Sequence, residues 1–279
     1  QVHPKGMYIN VAGSSTTNAG LTSTVIKDQL TGEWTFDAGA IPLMHKGILA
    51  IDEISGLQDP QALQECLEQM TVTIIKATIQ AKLLAETTIL AACNPKTGRF
   101  DPFQNIYDQI DMPPQLVNRF DLIFPFKDIR NVEKDTIIAE SILGRHTGKK
   151  KDKESKIDPE LVKKWIIMGQ KFKPTLPPEV AKYMKKRYVE IRNKKRDTTD
   201  QNDDAYQPVP ITPRQLQAMI RCSQAYSKLK LQGKVSKERA RFAVDLVIGS
   251  LELIGLDPET GEIDIQKIEG SLVASKREK

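Results

Sequence analysis

Four short, largely apolar runs, residues 7–11, 47–51, 88–92 and 121–124, punctuate the first half of the chain, and they are continuous rather than alternating. A run of that length and pattern fits a strand covered on both faces, as in a parallel sheet, with the helix-like segments between several of the runs as covering layers. The first half is therefore expected to be α/β. After Lys149 the strand signals stop. Residues 159–169, 178–194, 213–231 and 236–254 read as helices. The third opens on Thr212 as a cap with Pro213 in its first turn and carries Leu216, Met219, Ile220 and Leu229 on one face. The fourth opens on Ser236 and turns Ala240, Val244, Val247, Leu251 and Ile254 inward. The second half is expected to be a helical bundle over residues 159–256, joined through a Lys-rich linker at 147–158, interrupted by a polar loop at 197–207 and ending in a charged tail at 257–279.

With 279 residues, 39% of them apolar and 28% charged, the chain can bury a sizeable core. No window approaches the roughly 18 to 20 apolar residues of a spanning helix, so an integral helical membrane protein is excluded. The N-terminus has no basic-then-apolar leader, and it begins with Gln1 rather than Met, which points to a piece of a longer protein. Cys66, Cys93 and Cys222 form no C-x-x-C pair, which argues against a disulfide framework or a zinc site and fits a reducing cytoplasm; three scattered histidines add no metal site. Lys and Arg number 41 against 36 Asp and Glu, and the net +5 permits a polyanionic partner without requiring one. The densest basic clusters, residues 149–156 and 185–196, have the ordinary reading of a solvated linker and a solvated helix face.

Chemistry-bearing residues follow the apolar runs. Ile51-Asp52-Glu53 puts two carboxylates just past a buried strand, at the carboxyl edge where open α/β sheets bind ligands. One acid there can hold Mg²⁺ and the other can polarise an attacking water, although an apolar run ending in acids is also a common way for a strand to meet a loop. Ala92-Cys93-Asn94-Pro95 sends Asn94 to the same edge, where a neutral amide orients water or phosphate without adding negative charge; alone, Asn-Pro starts a turn. Arg119, in Asn118-Arg119-Phe120-Asp121, and Arg214, in Thr212-Pro213-Arg214-Gln215-Leu216, are permanently charged and suited to phosphate oxygens, and singly each reads as a salt-bridge residue.

Taken in order, these four motifs resemble the motor domain of the minichromosome maintenance (MCM) replicative helicases of the AAA+ class, archaeal members above all. The similarity extends to Gly20-Leu21-Thr22, Asp37-Ala38-Gly39-Ala40, Glu68-Gln69 and Asn94-Pro95-Lys96. It implies an AAA+ parallel-sheet core over residues 1–146 with an α-helical lid. It also implies ATP and Mg²⁺ as cofactors, with Asp52 and Glu53 as the Walker B pair, Asp52 at the metal, and Asn94 as the sensor 1 amide. Arg119 would be the arginine finger and Arg214 the sensor 2 arginine, both reaching ATP held by an adjacent subunit. Implied partners are single- and double-stranded DNA, identical or homologous subunits in a hexamer, and other replication factors; the location is cytoplasmic and nucleoid-associated in an archaeon, nuclear in a eukaryote. Residues 71–75 and 78–82 alternate well enough for a β-hairpin with Lys76-Ala77 near its tip. In this family such a hairpin enters the central channel, which makes Lys76 a candidate phosphate contact; otherwise it is a solvated turn lysine. Residues 25–36, turning at Thr31-Gly32, resemble the family's helix insertion, with Trp34 and Phe36 expected in local packing rather than base stacking.

One element departs from the pattern. No G-x-x-x-x-G-K-[ST] loop occurs; Gly144-Arg145-His146-Thr147-Gly148-Lys149-Lys150 has its glycines one residue too close and Lys in place of the hydroxyl residue. In the family that loop and its central strand precede the segment resembling Lys5-Gly6-Met7-Tyr8. Without that strand its neighbours would carry unpaired backbone groups, each costing about 1 to 3 kcal/mol if buried. Two readings follow: most of a helicase motor whose phosphate loop lies upstream, or a degenerate subunit that associates with a motor or DNA without hydrolysing ATP. A magnesium-chelatase type machine fits the motifs around Arg119 and Arg214 less well.

Overall fold

The computed structural model describes residues 8–29, 32–57, 60–76, 79–101, 103–128, 130–147, 157–193 and 211–255. The expected linker residues 148–156, the polar loop at 197–207 and the tail at 257–279 lie outside the described residues, as do the turn position Thr31 and the hairpin-tip residue Ala77. Strand β1 (Tyr8–Ala12) leads to a short helix α1 (Asn18–Leu21), a hairpin of β2 (Ser23–Lys27) and β3 (Trp34–Ala38), and a second short helix α2 (Ala40–Leu43). Then come β4 (Ile48–Asp52), α3 (Gln61–Gln69), a second hairpin of β5 (Thr71–Lys76) and β6 (Ile79–Leu84), and β7 (Thr88–Ala91). Helices α4 (Pro114–Val117), α5 (Val132–His146), α6 (Pro159–Gln170), α7 (Pro178–Arg192), α8 (Pro213–Leu229) and α9 (Lys237–Gly255) complete the described chain.

The sheet is parallel, with order β1-β4-β7. Leu49, Ala50 and Ile51 of β4 are buried, as their continuous apolar run requires of the middle strand. Leu49 and Ile51 pack in one core with Leu21, Ile41, Ile54, Leu63, Cys66 and Leu116, drawn from α1, α2, α3, α4 and the turn after β4, while Ala50 lies on the opposite face. β7 is covered on one face only, and Leu90 on the other is 64% exposed.

The fourth expected strand, residues 121–124, is a correction. It belongs to no strand and pairs with none among the described residues. Its backbone is met by the lid instead: the Ile123 N–H donates to Ser250 Oγ and the Ser250 hydroxyl donates to the Ile123 carbonyl, each at 2.8 Å. Leu122 packs against the lid core and Ile123 against the cluster that joins Ile106, Tyr107 and Val117 to Ile254, and one lid side chain satisfies both backbone polar groups of Ile123. Trp34 and Phe36 are a second correction. They are 46% and 39% exposed, because among the described residues the ribbon formed by β2 and β3 has no further layer over that face. Leu229, expected inward, is exposed at the end of α8. Helix α5 has no counterpart among the expected helices; the Asn131 side chain caps it by accepting from the Lys134 N–H, and Ile137, Ile138, Ile142 and Leu143 on it are exposed.

Two local contacts set the geometry of the sheet edge and of the second hairpin. The turns after β1 and β4 press together so closely that a Cβ on Gly13 would stand 2.3 Å from the Glu53 carbonyl oxygen. Helix α3 ends on Met70 in the left-handed region, φ 55°, which swings the chain directly into β5. There Glu65 grips the hairpin base: its Oε2 accepts from the Thr73 N–H at 3.1 Å, and its Oε1 accepts from the Thr73 and Thr71 hydroxyls at 2.6 and 3.2 Å. Burial pushes the Glu65 carboxyl up, but the Thr73 and Thr71 hydrogen bonds and the charge of Lys82 outweigh it and hold it below its usual value.

The lid core gathers Val180, Met184, Ile211, Ala218, Met219, Ala240, Val244 and Val247, with α8 packed along α9. It docks through Ile254 and Leu251 against Ile106, Tyr107 and Val117, and through an ion pair from Arg221 to both carboxylate oxygens of Asp121. Among the described residues no helix is long and apolar enough to cross a membrane.

Replacing Gly13 with Ala should destabilise the protein by about 1 to 3 kcal/mol through overpacking, whereas Gly249→Ala, in open space within α9, should stabilise it by about 0.5 to 1 kcal/mol; urea unfolding measures both. Glu65 has a depressed folded pKa, so its contribution is present above its ordinary value of 4.5 and is lost as pH falls through the lower folded value. Calorimetric melts of Glu65→Gln should start lower than wild type at neutral pH and fall less steeply below about pH 4.5.

Candidate functional site

The carboxyl edge of the sheet holds the first group of side chains. Asp52 is the exposed last residue of the otherwise buried β4, and its Oδ1 accepts from the Glu53 N–H at 3.0 Å. Glu53 itself sits in the left-handed region with φ 50°, a costly position for a residue with a side chain, and the contact with Gly13 encloses it. Its Oε2 accepts from the Ser14 hydroxyl at 3.2 Å. Beyond β7 the ladder continues for one residue: the Ala92 N–H donates to the Ile51 carbonyl at 2.9 Å and the Ile54 N–H to the Ala92 carbonyl at 3.0 Å. Asn94 therefore leaves the sheet beside the Asp52-Glu53 turn, and it is exposed.

More than a turn start fixes Asn94. Pro95 bridges to Ile110, the Lys96 N–H donates to the Gln109 carbonyl at 2.9 Å, and Lys96 Nζ donates to the Asp108 carbonyl at 2.8 Å. This edge offers two hard carboxylates and an amide. The described residues contain no cluster of three or more His, Cys, Asp or Glu able to cage a metal alone. A single exposed carboxylate fits Mg²⁺, which keeps several waters and is bound through one or two carboxylates together with phosphate oxygens.

A second group forms where α3, α4 and α8 meet. Pro113 and Pro114 start α4, and Arg119 follows its end with its N–H donating to the Leu116 carbonyl at 3.0 Å. Arg214 lies in the first turn of α8, where Gln215 Oε1 accepts from the Thr212 N–H at 2.9 Å and from the Thr212 hydroxyl. Both guanidiniums close on one carboxylate oxygen, Oε1 of Glu68 in the last turn of α3: Arg119 through Nη1 and Arg214 through Nη2 at 3.2 Å. The Arg119 side chain is only 14% exposed, against 35% for Arg214. Arg119 Nε and Nη1 are buried without an aligned hydrogen-bond acceptor, so the Nη1 contact with Glu68 is an ion pair by proximity alone. Burial, and then the charge of Arg214, pull the Arg119 guanidinium below its usual range. Two cations against one carboxylate leave an excess of positive charge, and the chemistry this cluster is suited to is acceptance of an anion.

Lys76 ends β5 opposite Ile79, on the hairpin whose base Glu65 holds. The structure thus brings Asp52, Glu53 and Asn94 to one sheet edge, Arg119 and Arg214 to one carboxylate, and Lys76 to the hairpin's far end. Glu65 and Ser14 carry no chemical signature in the sequence. Glu68 falls within Glu68-Gln69, one of the stretches that carry the family resemblance, but neither that nor its i, i+3 spacing from Glu65 says anything of partners far along the chain.

Comparison with known proteins gives concordant matches over nearly the whole chain. The MCM P-loop domain model matches residues 1–146 and the MCM AAA-lid domain model matches residues 160–251. The minichromosome maintenance protein MCM of Saccharolobus solfataricus is 39% identical over 282 aligned positions, covering 100% of this chain and 40% of the relative. An uncharacterized MCM-type protein of Methanocaldococcus jannaschii is 36% identical, with 97% of this chain and 40% of the relative covered. The DNA replication licensing factor MCM6 of Arabidopsis thaliana is also 36% identical, with 95% and 31% covered. The chain spans two fifths or less of the length of these relatives. A parallel sheet with acids and an amide at its carboxyl edge, a helical lid bearing an arginine on its third helix, and two family models that follow one another along the sequence have one explanation: the chain belongs to the MCM family of AAA+ ATPases.

Proposed function

We propose that this chain forms most of the motor of an MCM-type helicase ring that unwinds DNA, with ATP hydrolysed between neighbouring subunits. The observation that carries this reading is the division of the candidate site into two groups built on different elements, an acid-and-amide edge and an arginine pair. An edge that provides two carboxylates and an amide, and a cation cluster with charge to spare, complement each other across an interface between two copies. In such a pocket ATP supplies the transferable phosphoryl group and Mg²⁺ neutralises its oxygens. Asp52 would hold the metal, Glu53 would accept the proton of the attacking water, and Asn94 would orient that water. Arg119 and Arg214 of the adjoining copy would meet the charge that builds up on the phosphoryl oxygens.

On this reading residues 1–146 serve as the core and 159–256 as the lid, with ATP and Mg²⁺ as cofactors and DNA, further subunits and replication factors as partners. The names of the relatives, a minichromosome maintenance protein and a DNA replication licensing factor, support the partners and a place of action with chromosomal DNA. Lys76 would contribute a point charge for the DNA backbone inside the ring, without reading sequence. A second reading rests on one specific feature: no G-x-x-x-x-G-K-[ST] loop occurs in the 279 residues. It makes the chain a degenerate or truncated MCM-like subunit that binds partner subunits or DNA without hydrolysing ATP.

In rings assembled from the full-length protein, Glu53→Gln and Arg119→Ala should each reduce ATPase on the order of 10³-fold, and mixing the two variants should restore a measurable fraction. No recovery in rings shown to be mixed would reject composite pockets. Lys76→Ala should weaken single-strand binding and make its logarithmic salt slope shallower by about 0.7 for each phosphate that the lysine neutralises, as read by fluorescence anisotropy; an unchanged slope would remove Lys76 from the DNA path.

A further inference from the structure

The arginine pair is held by a residue with no role in the proposed pocket. Arg119 and Arg214 come from different parts of the fold, one from the loop after α4 and one from the first turn of a lid helix, and they carry like charge. Side by side they repel as like charges, and burial first, then the charge of Arg214, pulls the Arg119 guanidinium below its usual range. What brings them together is the Glu68 carboxylate, both cations meeting on its Oε1. Arg119 has few alternatives: Nε and Nη1 are buried without an aligned acceptor, so without Glu68 it would be a buried cation with no counter-charge. Arg214, being more exposed, would be free to turn into solvent. Glu68 in turn is fixed by α3, which is clamped one turn earlier by the three Glu65 hydrogen bonds to the hairpin base.

We infer that Glu68 is a positioning residue, the shared counter-ion that sets the spacing of Arg119 and Arg214 so that both address one phosphoryl group of a neighbouring subunit. It touches neither the nucleotide nor the reacting atoms and acts only through the two guanidiniums. Preorganisation is where its effect lies: the phosphoryl group meets two cations already at their working separation, and the excess positive charge remains available to it. The catalytic consequence rests on the composite pocket; the shared ion pair is a property of one protomer.

Two measurements on Glu68→Gln test this and separate it from the pocket reading. The substitution keeps the size of the side chain and removes its charge. In full-length rings it should lower kcat about tenfold, equivalent to about 1.4 kcal/mol, with KM for ATP within about twofold. Glu68→Gln/Arg119→Ala and Glu68→Gln/Arg214→Ala should be no slower than the single arginine variants, because the carboxylate has nothing left to position. Double variants slowed by the product of the single effects, or a wild-type kcat for Glu68→Gln, would overturn the inference. In nitrogen-15 arginine spectra of the protein, the Nε–H signals of Arg119 and Arg214 should both shift and exchange faster with water in Glu68→Gln; unmoved signals would overturn it too. If Arg119→Ala left kcat unchanged, the composite pocket would fail and the spectra alone would decide the role of Glu68. Should Gln disturb folding, Glu68→Asp, which keeps the charge but withdraws it by one methylene, takes its place in both measurements with the same outcomes.

Discussion

Burial of the middle strand on both faces is the constraint from which the rest of the core follows. Leu49, Ala50 and Ile51 are buried where β1 and β7 flank β4 in parallel, and residues of α1, α2, α3 and α4 close over the face of Leu49 and Ile51. Parallel pairing sends all three strands out at one edge, so the polar residues that follow the apolar runs leave the sheet together. Asp52, Glu53 and Asn94 are neighbours for that reason, although more than forty positions separate the acids from the amide. The close approach of Gly13 and the left-handed backbone of Glu53 add the final constraint, holding the second acid in a conformation that a free turn would leave.

The join between core and lid is made with charge and with a borrowed hydroxyl as well as with apolar contact. Arg221 and Asp121 form a two-pronged ion pair, Ser250 meets both backbone groups of Ile123, and Glu68 of the core holds Arg214 of the lid. Such contacts are individually modest where they are half exposed, and their value lies in orientation. They fix which way the first turn of α8 faces, and therefore where Arg214 stands relative to Arg119. Helix α3 is central to this arrangement, since one of its carboxylates anchors the hairpin bearing Lys76 and the next gathers the arginines. The two ends of the proposed machine, the strand-binding side and the phosphate-binding side, thus share a single nine-residue helix.

Much of this was legible in the residues because its physics is local. The run at 47–51 fits a doubly covered strand, Pro213 after Thr212 fits a helix start, and the inward positions Ala240, Val244, Val247 and Ile254 follow from helical period. Elsewhere local reasoning ran out. Residues 121–124 carry a strand's composition, yet whether an apolar run joins a sheet depends on a partner edge, and here Ser250 of the lid takes both backbone groups of Ile123. Trp34 and Phe36 have the composition of packed residues, but a two-stranded ribbon without a covering layer leaves them open. Helix α5 is hard to read although Asn131 marks its start, because its apolar residues find no core to confirm their face.

By itself the sequence determined the class of fold, the division into an α/β half and a helical half, and which side chains have the charge and chemistry that phosphate groups call for, since strand burial, helix capping and side-chain charge are properties of short stretches. Only the tertiary structure decided which of those residues meet. That Arg119 and Arg214 share one oxygen of Glu68, and that Glu65 a turn earlier ties the same helix to the hairpin, depends on α3, α4 and α8 converging. No spacing along a chain encodes such a convergence, because the contacts join segments far apart in sequence and exist only once the cores on both sides have packed.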